Sequence, residues 1–402
     1  MPASLLVQIF ASLGHGFMHM LAVYFYLVVL PLEREWGLPY GELIRLWTVG
    51  SFLVGAMAIP AGWLADRWSA RGMMVVFFLG LGSASIVCAL ATGPTGLWAG
   101  LCLLGSFAAI YHPVGIPWLV RTTTEAKGRA IGINGIFGSG GVAGAGAVAG
   151  LLIDYANWRV AFLVPGAICL LIGLAMLYCV RAGLLPDEGA HVQSSVAVRP
   201  DADRRLIFRV LFLTMAAGAI VYQAMQAVLP KVLSVKMSGG MGDGALGVGV
   251  LVGAIYGMAA LTQIVSGHLA DRFPLKAVYA SAYALQIPLL SMLASAAGLP
   301  FVVVATLVIV CNTGALPAEN LLLSQSASSR RQGVAFGAKF VMSFGATPIA
   351  IWLVSLLSAR DGGLDTVFLV LAGAAALGTL AALVLPGERR PAATPAPSEA
   401  RG

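Results

Sequence analysis

The sequence predicts an all-α integral membrane protein, with twelve transmembrane helices in two pseudo-symmetric six-helix halves. The first observation behind this prediction is composition, since 59% of the 402 residues are hydrophobic and only 10% are charged. Soluble domains carry about 25% charged residues. The second is the 49 glycines, because glycine weakens a helix in water but lets helices pack closely in a membrane. The third is a repeat that relates the two halves of the chain.

Twelve apolar runs are long enough to cross a bilayer, since a helix needs about 20 apolar residues to span the hydrocarbon core. The predicted spans are 5–32, 41–64, 72–92, 97–121, 129–153, 158–181, 206–235, 245–269, 275–297, 300–325, 333–358 and 364–386. The polar stretch 182–205 is predicted to be a cytoplasmic linker between an N-terminal half, 1–181, and a C-terminal half, 206–386. Residues 387–402 are rich in Pro and Ala and are predicted to form a disordered cytoplasmic tail.

The positions of Lys and Arg predict the orientation of the spans. If both termini are cytoplasmic, most of the 24 basic residues fall in cytoplasmic connections. The outer side then holds only Arg34, Arg45, Arg159, Lys231, Lys236 and Arg360, and Lys339 lies within a span. The positive-inside rule therefore predicts a multi-pass inner-membrane protein with both termini in the cytoplasm.

The net charge of +7 does not indicate nucleic-acid binding, because the basic residues lie in short gaps between apolar runs. The five cysteines lie within apolar runs without paired spacing, so buried thiols are expected rather than disulfides. Neither a cofactor nor a resident metal is predicted. The expected partners are the lipid bilayer, a small-molecule substrate and H⁺. The Trp158-Arg159 pair at the outer end of the sixth span is interpreted as an anchor at the membrane interface.

Two motifs recur at one spacing in the two halves. Gly62-Trp-Leu-Ala-Asp66-Arg67 ends the second span, and Gly267-His-Leu-Ala-Asp271-Arg272 ends the eighth, 205 positions later. The same spacing relates Gly128-Arg-Ala-Ile-Gly132 to Gly333-Val-Ala-Phe-Gly337. Two matches at one spacing indicate a duplicated six-helix unit, with a pathway between the halves.

The repeated Gly-x-Leu-x-Asp-Arg motif resembles the signature of loops 2–3 and 8–9 in the major facilitator superfamily. That resemblance implies a major facilitator fold, a functional monomer and a conformational latch at the cytoplasmic face. The latch residues would be Gly62, Asp66, Arg67, Arg71, Gly267, Asp271 and Arg272. Asp66 follows the C-terminal end of its helix, where the dipole disfavours an anion. A partner such as Arg67, Arg71 or the N-terminus of another helix is therefore expected.

A finer resemblance lies in the first and fourth spans. Leu13-Gly-His15-Gly-Phe-Met-His19 and Gly105-Ser-Phe-Ala-Ala-Ile-Tyr111-His112-Pro113 resemble the fosmidomycin-resistance branch of the superfamily, whose members are drug/proton antiporters. That branch has an Asp four residues after the first-helix His and an acid after the His-Pro pair. In this chain those two positions hold His19 and Val114.

Ionisable residues at membrane depth are functional candidates, because they are costly to place there. His15 and His19 are four residues apart and share one helix face, and His15 lies roughly 15 Å deep at 1.5 Å per residue. His112 precedes Pro113, which disturbs the helix. Histidines in such positions take up protons near neutral pH or bind an anion or a metal. The alternative is neutral imidazoles that hydrogen-bond neighbouring helices.

Glu319 and Lys339 are both predicted to lie roughly 9 Å from the cytoplasmic ends of adjacent spans. An unpaired charge at that depth is costly, so a mutual ion pair or a solute partner is expected. Whether such a pair is static or breaks during transport is left open. Lys339 corresponds to Asn134 by the repeat spacing. Further hydrogen-bonding candidates for a central cavity are Tyr111, Gln223, Gln226, Asn312 and Asn320, each of which could instead join neighbouring helices.

The favoured function is secondary active transport of a small solute by alternating access, with H⁺ as the predicted coupling ion. Antiport and symport remain open, as does the direction of transport. One alternative is a metal or metal-chelate transporter, in which His15, Met18, His19 and Met20 supply nitrogen and sulfur ligands. Less favoured alternatives are a membrane enzyme, for which neither H-E-x-x-H nor G-x-S-x-G is present, and a sensor that has lost transport.

Overall fold

The computed structural model describes residues 3–123, 127–185, 201–326 and 332–386. Within those residues, twelve helical segments are long and apolar enough to cross a membrane. They are α1 (Ala3–Trp36), α2 (Tyr40–Arg67), α3 (Ala70–Ala89), α4 (Pro94–Thr122), α5 (Lys127–Tyr155), α6 (Trp158–Arg181), α7 (Asp201–Lys236), α8 (Gly244–Arg272), α9 (Leu275–Ser295), α10 (Gly298–Gly314 and Leu316–Ser326), α11 (Gln332–Ser358) and α12 (Gly363–Leu383). The predicted all-α, twelve-helix fold class is confirmed.

The predicted linker and tail fall largely outside the described residues. Residues 186–200 and 387–402 are among those that the structure does not describe. The last five residues of the predicted linker, 201–205, are helical and form the beginning of α7.

Local chemistry sets several helix starts. The Ser69 hydroxyl accepts the Gly72 N–H at the start of α3, and the Asn157 side chain accepts the N–H groups of Arg159 and Val160 at the start of α6. Both are N-caps that satisfy otherwise free donors. Gly362 precedes α12 with φ of 65°, a backbone conformation that glycine adopts without steric cost.

The two halves pack in equivalent ways. In the N-terminal half α1 packs on α5, α2 on α4 and α3 on α6, and in the C-terminal half α7 packs on α11, α8 on α10 and α9 on α12. The halves meet mainly where α5 contacts α8 and where α2 contacts α11. These two contacts are counterparts of each other, because the repeat relates α2 to α8 and α5 to α11.

Arg67, Arg121 and Arg272 lie at the ends of α2, α4 and α8 on one side of the bundle, which we call the basic face. Near the other side, the opposite face, α5 and α8 touch through backbone atoms. A Cβ atom on Gly249 would lie 2.0 Å from the carbonyl oxygen of Gly146. Only glycine permits such an approach, as is common between membrane helices.

Polar contacts also join the halves at the opposite face. The Lys231 ammonium lies 2.7 Å from the Glu33 carboxylate, the Ser355 hydroxyl donates to the Gly41 carbonyl at 2.8 Å, and the Tyr40 hydroxyl donates to the Ala227 carbonyl. The Asp154 carboxylate accepts the N–H groups of Ala245 and Leu246 at the start of α8, where a helix N-terminus favours an anion.

The same two helices separate toward the basic face. At Gly132 and Gly135 of α5 and at Gly267 of α8, no atom of the described residues lies within 4 Å of a Cβ position. The bundle is therefore closed at the opposite face and its halves diverge toward the basic face.

Interruptions occur at equivalent points of α4 and α10. Helix α4 breaks after Ala108 and continues as a π-helical turn over Tyr111–Gly115, whereas α10 breaks at Ala315, 205 positions beyond residue 110. Each interruption lies in the turn before a proline, Pro113 or Pro317, because proline cannot donate the hydrogen bond to the residue four positions earlier.

The interpretation of Trp158 as a membrane-interface anchor is wrong. Its side chain is buried, with 1% of its surface exposed, and its indole N–H donates to the Glu35 carboxylate at 2.6 Å. Arg159 pairs with the same carboxylate at 3.1 Å. Trp158 therefore joins α6 to α1 inside the N-terminal half.

Candidate functional site

Three of the predicted site residues come together in the N-terminal half and form what we call the histidine cluster: His15, His19 and His112. One ring nitrogen from each lies within 4.8 Å of one from each of the others. The ring centroids are 4.9 Å apart for His15 and His19, 5.4 Å for His15 and His112, and 5.3 Å for His19 and His112. The Phe344 ring of α11 lies 5.3 Å from His112, so the cluster borders the C-terminal half.

The histidine cluster is held by a network of buried hydrogen bonds. Tyr111 stacks on His15 with 4.8 Å between ring centroids, and its hydroxyl donates to the Ala11 carbonyl at 2.8 Å. The same hydroxyl accepts from the Asn134 amide at 2.7 Å. His15 Nδ1 lies 2.8 Å from the Asn134 carbonyl oxygen. The network fixes the His15 ring between α4 and α5.

Close helix packing positions the His15 ring. A Cβ atom on Gly138 of α5 would lie 2.5 Å from Cε1 of His15, so a residue larger than glycine would displace the imidazole. The glycine-rich segment of α5 thus serves helix packing, which agrees with its place inside a transmembrane span.

The C-terminal half holds a buried ion pair. The Lys339 ammonium lies 2.8 Å from the Glu319 carboxylate, and the exposed fractions of these side chains are 10% and 5%. Lys339 also donates to the Asn320 side chain at 2.5 Å. The Tyr279 hydroxyl, which lies 2.8 Å from both the Glu319 carboxylate and the Thr214 hydroxyl, links α9 to α10 and α7.

The two clusters occupy corresponding parts of the two halves. Asn134 of α5 contacts Tyr111 of α4, and its repeat counterpart Lys339 of α11 contacts Glu319 of α10. Glu319 lies 205 positions after Val114, the residue in α4 where the fosmidomycin-resistance branch has an acid. One half therefore carries a neutral pair where the other carries a charged one.

The remaining predicted residues join helices or line a cavity. The Gln223 amide donates to the Ser343 carbonyl of α11 at 3.2 Å. Asn312 donates to the Gly218 carbonyl and to the Gln286 side chain, both at 3.1 Å. Gln226 lines a small cavity between α1, α5, α7 and α8.

Three tyrosines that sequence reasoning missed line the same cavity, Tyr24, Tyr26 and Tyr256. Tyr24 of α1 and Tyr256 of α8 are buried, and among the described residues their hydroxyls have no hydrogen-bond partner. A tyrosine inside a predicted span was the available signal, but the span alone does not tell which helix face meets the other half. Tyr279 and Thr214, which were also missed, are likewise polar residues inside predicted spans.

The predicted latch residues lie at the basic face with different partners from those expected. Asp66, which is 68% exposed, lies 3.8 Å from Arg121 of α4. Arg71 donates to the Leu185 carbonyl at 2.8 Å, and Arg67 lies over the Trp63 ring at 4.5 Å. The counterparts Asp271 and Arg272 are exposed. A Cβ on Gly62 would make ordinary contact with Pro113, whereas the part of the chain that the structure describes places no neighbour at the Cβ position on Gly267.

A family model described as Major Facilitator Superfamily matches residues 13–261 and 243–402 of this chain. The chain belongs to the major facilitator superfamily. This membership accounts for the duplicated six-helix unit and shows a multi-pass membrane protein, and the family points to a transporter rather than an enzyme.

Relatives of this superfamily member include named transport and resistance proteins. The puromycin resistance protein pur8 of Streptomyces alboniger is 29% identical over 166 residues, which are 40% of this chain and 31% of that protein. The probable sulfoacetate transporter SauU of Cupriavidus necator is 30% identical over 171 residues, 41% of this chain and 38% of that protein. The matches span only about a third of the length of these relatives. They leave the resemblance to the fosmidomycin-resistance branch a prediction.

A solved structure shows the same fold. A bacterial homologue of the human lysosomal transporter Spinster, in an inward-facing and occupied conformation, superposes with a TM-score of 0.76. The superposition covers 95% of this chain and 96% of that one, at 15% sequence identity. At this identity the similarity describes the major facilitator fold alone.

Proposed function

We propose that this protein is a secondary active transporter that moves a small organic solute across an inner membrane by alternating access, driven by a proton gradient. The observation that carries the proposal is the Glu319–Lys339 pair, with exposed fractions of 5% and 10% inside the C-terminal half. Ionisable groups within a membrane bundle are costly and mark ion or substrate pathways.

Protonation of Glu319 is the proposed coupling step. When Glu319 is ionised, it neutralises Lys339, and the pair has no net charge. A proton on Glu319 leaves the Lys339 ammonium without a counter-charge, which is costly for a buried group. An anionic solute restores neutrality. This charge balance favours an organic anion that moves together with a proton.

The proposed solute path is the space between the halves. Its N-terminal wall carries the histidine cluster, and Tyr24, Gln226 and Tyr256 surround a cavity where both halves meet. The Tyr24 and Tyr256 hydroxyls, which have no hydrogen-bond partner among the described residues, are available to a solute, and a buried polar group gains most from acquiring a hydrogen bond.

The proposed orientation places the basic face in the cytoplasm, as the positive-inside rule favours. Both termini are then cytoplasmic, and the divergence of α5 and α8 opens the path to the cytoplasm. In the alternate state the basic face closes, and the proposed latch around Asp66, Arg67 and Arg71 acts there. The protein acts as a monomer in this proposal, since each chain holds both halves.

The test is proton movement in proteoliposomes with a trapped pH-sensitive dye. Sulfoacetate and puromycin are the first probes, because the names of the relatives SauU and pur8 refer to these compounds. Other small sulfonates and carboxylates complete the panel. We expect an inward gradient of a transported anion to acidify the interior. Solute movement without proton flux would overturn the proposed coupling.

The Glu319→Gln variant separates coupling from binding. We expect it to lose solute-driven proton flux to the background level of empty liposomes, while it retains exchange of labelled for unlabelled solute, because an amide cannot release a proton. Glu42→Gln, at an exposed acid of α2, is the matched control and should keep wild-type flux. Normal proton flux in Glu319→Gln would remove Glu319 from the coupling step.

A further inference from the structure

We propose that His15, His19 and His112 form a binding site for a divalent transition-metal ion, for which Zn²⁺ is the representative. The structure brings three of the five histidines of the chain to one point inside the bundle, from two different helices. The inference concerns binding at this point. It is independent of the proton coupling proposed for Glu319 in the other half.

The spacing of the ligand atoms fits a single ion. Zinc binds histidine nitrogen at about 2.0–2.1 Å, so nitrogens on opposite sides of one ion are at most roughly 4.2 Å apart. The three nitrogens here lie within 4.8 Å of one another. Small side-chain rotations bring them into range. His15 and His19 are also related as i and i+4, the spacing by which one helix presents two histidines to zinc.

The surroundings of His15 are those of a metal ligand. Its Nδ1 lies 2.8 Å from the Asn134 carbonyl oxygen, which can only accept, so Nδ1 carries the proton and Nε2 keeps its lone pair. A metal-bound histidine almost always donates its other ring N–H in this way. Gly138 and the stacked Tyr111 hold the ring in place.

Packing of neutral imidazoles is the competing explanation for the cluster. It leaves acceptor lone pairs crowded together, because each neutral imidazole has one acceptor nitrogen. His19 has no hydrogen-bond partner among the residues that the structure describes. One bound cation accepts a lone pair from each of the three rings at once.

The site has three protein ligands and therefore an open position. Zinc sites with three protein ligands hold water or an exogenous ligand in the fourth position. Neutral imidazoles do not offset the charge of a divalent ion, so an anion is the favoured fourth ligand. The ligand class is thus a divalent transition ion that carries a water or a small anion.

Zinc binding to the purified full-length protein tests the proposal. The protein, without a polyhistidine tag, is stripped with a chelator, dialysed against buffered Zn²⁺ and analysed for metal content. Co²⁺ is used in parallel, since its visible absorption reports tetrahedral coordination by nitrogen. We expect one equivalent per chain and a tetrahedral Co²⁺ spectrum.

Single variants locate the ion. His15→Ala, His19→Gln and His112→Asn should each weaken Zn²⁺ binding by more than about 100-fold, since loss of even an outer partner of a ligand costs roughly 10–100-fold. His268→Ala removes an exposed histidine of α8 and should bind as the wild type does. Glu319→Gln should also retain binding, which separates this proposal from the proposed coupling.

Thermal unfolding of each variant shows whether it is folded, and the two conservative variants keep the test valid if His15→Ala is unstable. A wild type that binds no stoichiometric Zn²⁺ would overturn the proposal. So would cluster variants that fold and keep wild-type affinity, or a His268→Ala variant that loses binding to the same degree.

Discussion

Glu319 and Lys339 show how far a sequence specifies a contact between two side chains. Helical rise converts a residue's distance from the end of a span into a depth, and both residues were expected at the same depth. The structure gives a separation of 2.8 Å. Tyr279 and Thr214 were not expected, because depth carries no information about which faces of α7, α9 and α10 meet.

The histidine cluster was only half predictable. The shared face of His15 and His19 follows from α-helical periodicity. His112 lies in a π-helical turn, which holds an extra residue and rotates the rest of the helix by about 100° relative to a regular one. The approach of His112 therefore could not be derived from periodicity. Asp66 likewise pairs with Arg121, a residue from another helix that was not among the expected partners.

A prediction at this scale concerns the stability of the buried pair. Lys339→Met leaves the Glu319 carboxylate buried without its counter-charge, and removal of one partner of a buried pair costs about 3–5 kcal/mol. The expected result is a clearly lower thermal unfolding midpoint in detergent.

The double variant Glu319→Leu/Lys339→Met is the control. Replacement of both charges by apolar side chains is often neutral for stability, so most of the lost stability should return while proton-coupled transport stays absent. A double variant as unstable as Lys339→Met would mean that the lysine stabilises the bundle in some way other than by charge.

Helices were predicted more completely than their irregularities. The ends of the spans agree with the structure to within a few residues, because apolar runs end where charged residues begin. The disturbance of α4 at Pro113 was expected but its π-helical form was not, and the break in α10 before Pro317 was not located. A proline in the sequence shows that one backbone hydrogen bond of the helix is missing. It does not show whether the helix bends, breaks or widens into a π-helical turn.

A prediction at this scale concerns the contact between α5 and α8. Gly249→Ala places a methyl group against the Gly146 carbonyl, at 2.0 Å before any shift, and overpacking of this kind costs about 1–3 kcal/mol. The unfolding midpoint should fall. Gly257→Ala, on the same helix, meets only the Ala143 Cβ at 3.7 Å and should leave the midpoint unchanged or raise it, since alanine favours helix. Equal effects would show that the close approach does not limit packing.

At the scale of the whole molecule, the repeat predicted two equivalent halves, and the equivalent packing of their helices agrees with it. The sequence did not predict which face is closed. Alternating-access conformations share one sequence and differ chiefly in the contacts between halves, so composition and periodicity carry no information on that choice.

The closed opposite face leads to a prediction about the Glu33–Lys231 pair, which joins the halves there. Lys231→Met should shift the equilibrium toward separation at this face about fivefold, because a partly exposed ion pair contributes up to about 1 kcal/mol. Spin labels at Ala156→Cys and Ser238→Cys, in a cysteine-free background, would report this as a larger population of long distances.

Lys236→Met is the matched control for that experiment. Lys236 lies on the same helix and at the same face, but its contacts, with Asp365 and the carbonyls that end α9, stay within the C-terminal half. Its removal should leave the distance distribution unchanged. If Lys231→Met also left the distance distribution unchanged, the Glu33–Lys231 pair would not be what holds the face closed.

Asn134 and Lys339 correspond under the repeat but contact unlike groups, Tyr111 in one half and Glu319 in the other, and this difference bears on stereochemistry. Between two identical walls, a molecule could turn end over end without any change in free energy. Between these two walls the orientations differ in free energy, because only one wall carries charged groups. An asymmetric compound would then travel in a single orientation, and its mirror image, unable to present the same groups to the same walls, would be carried at a different rate.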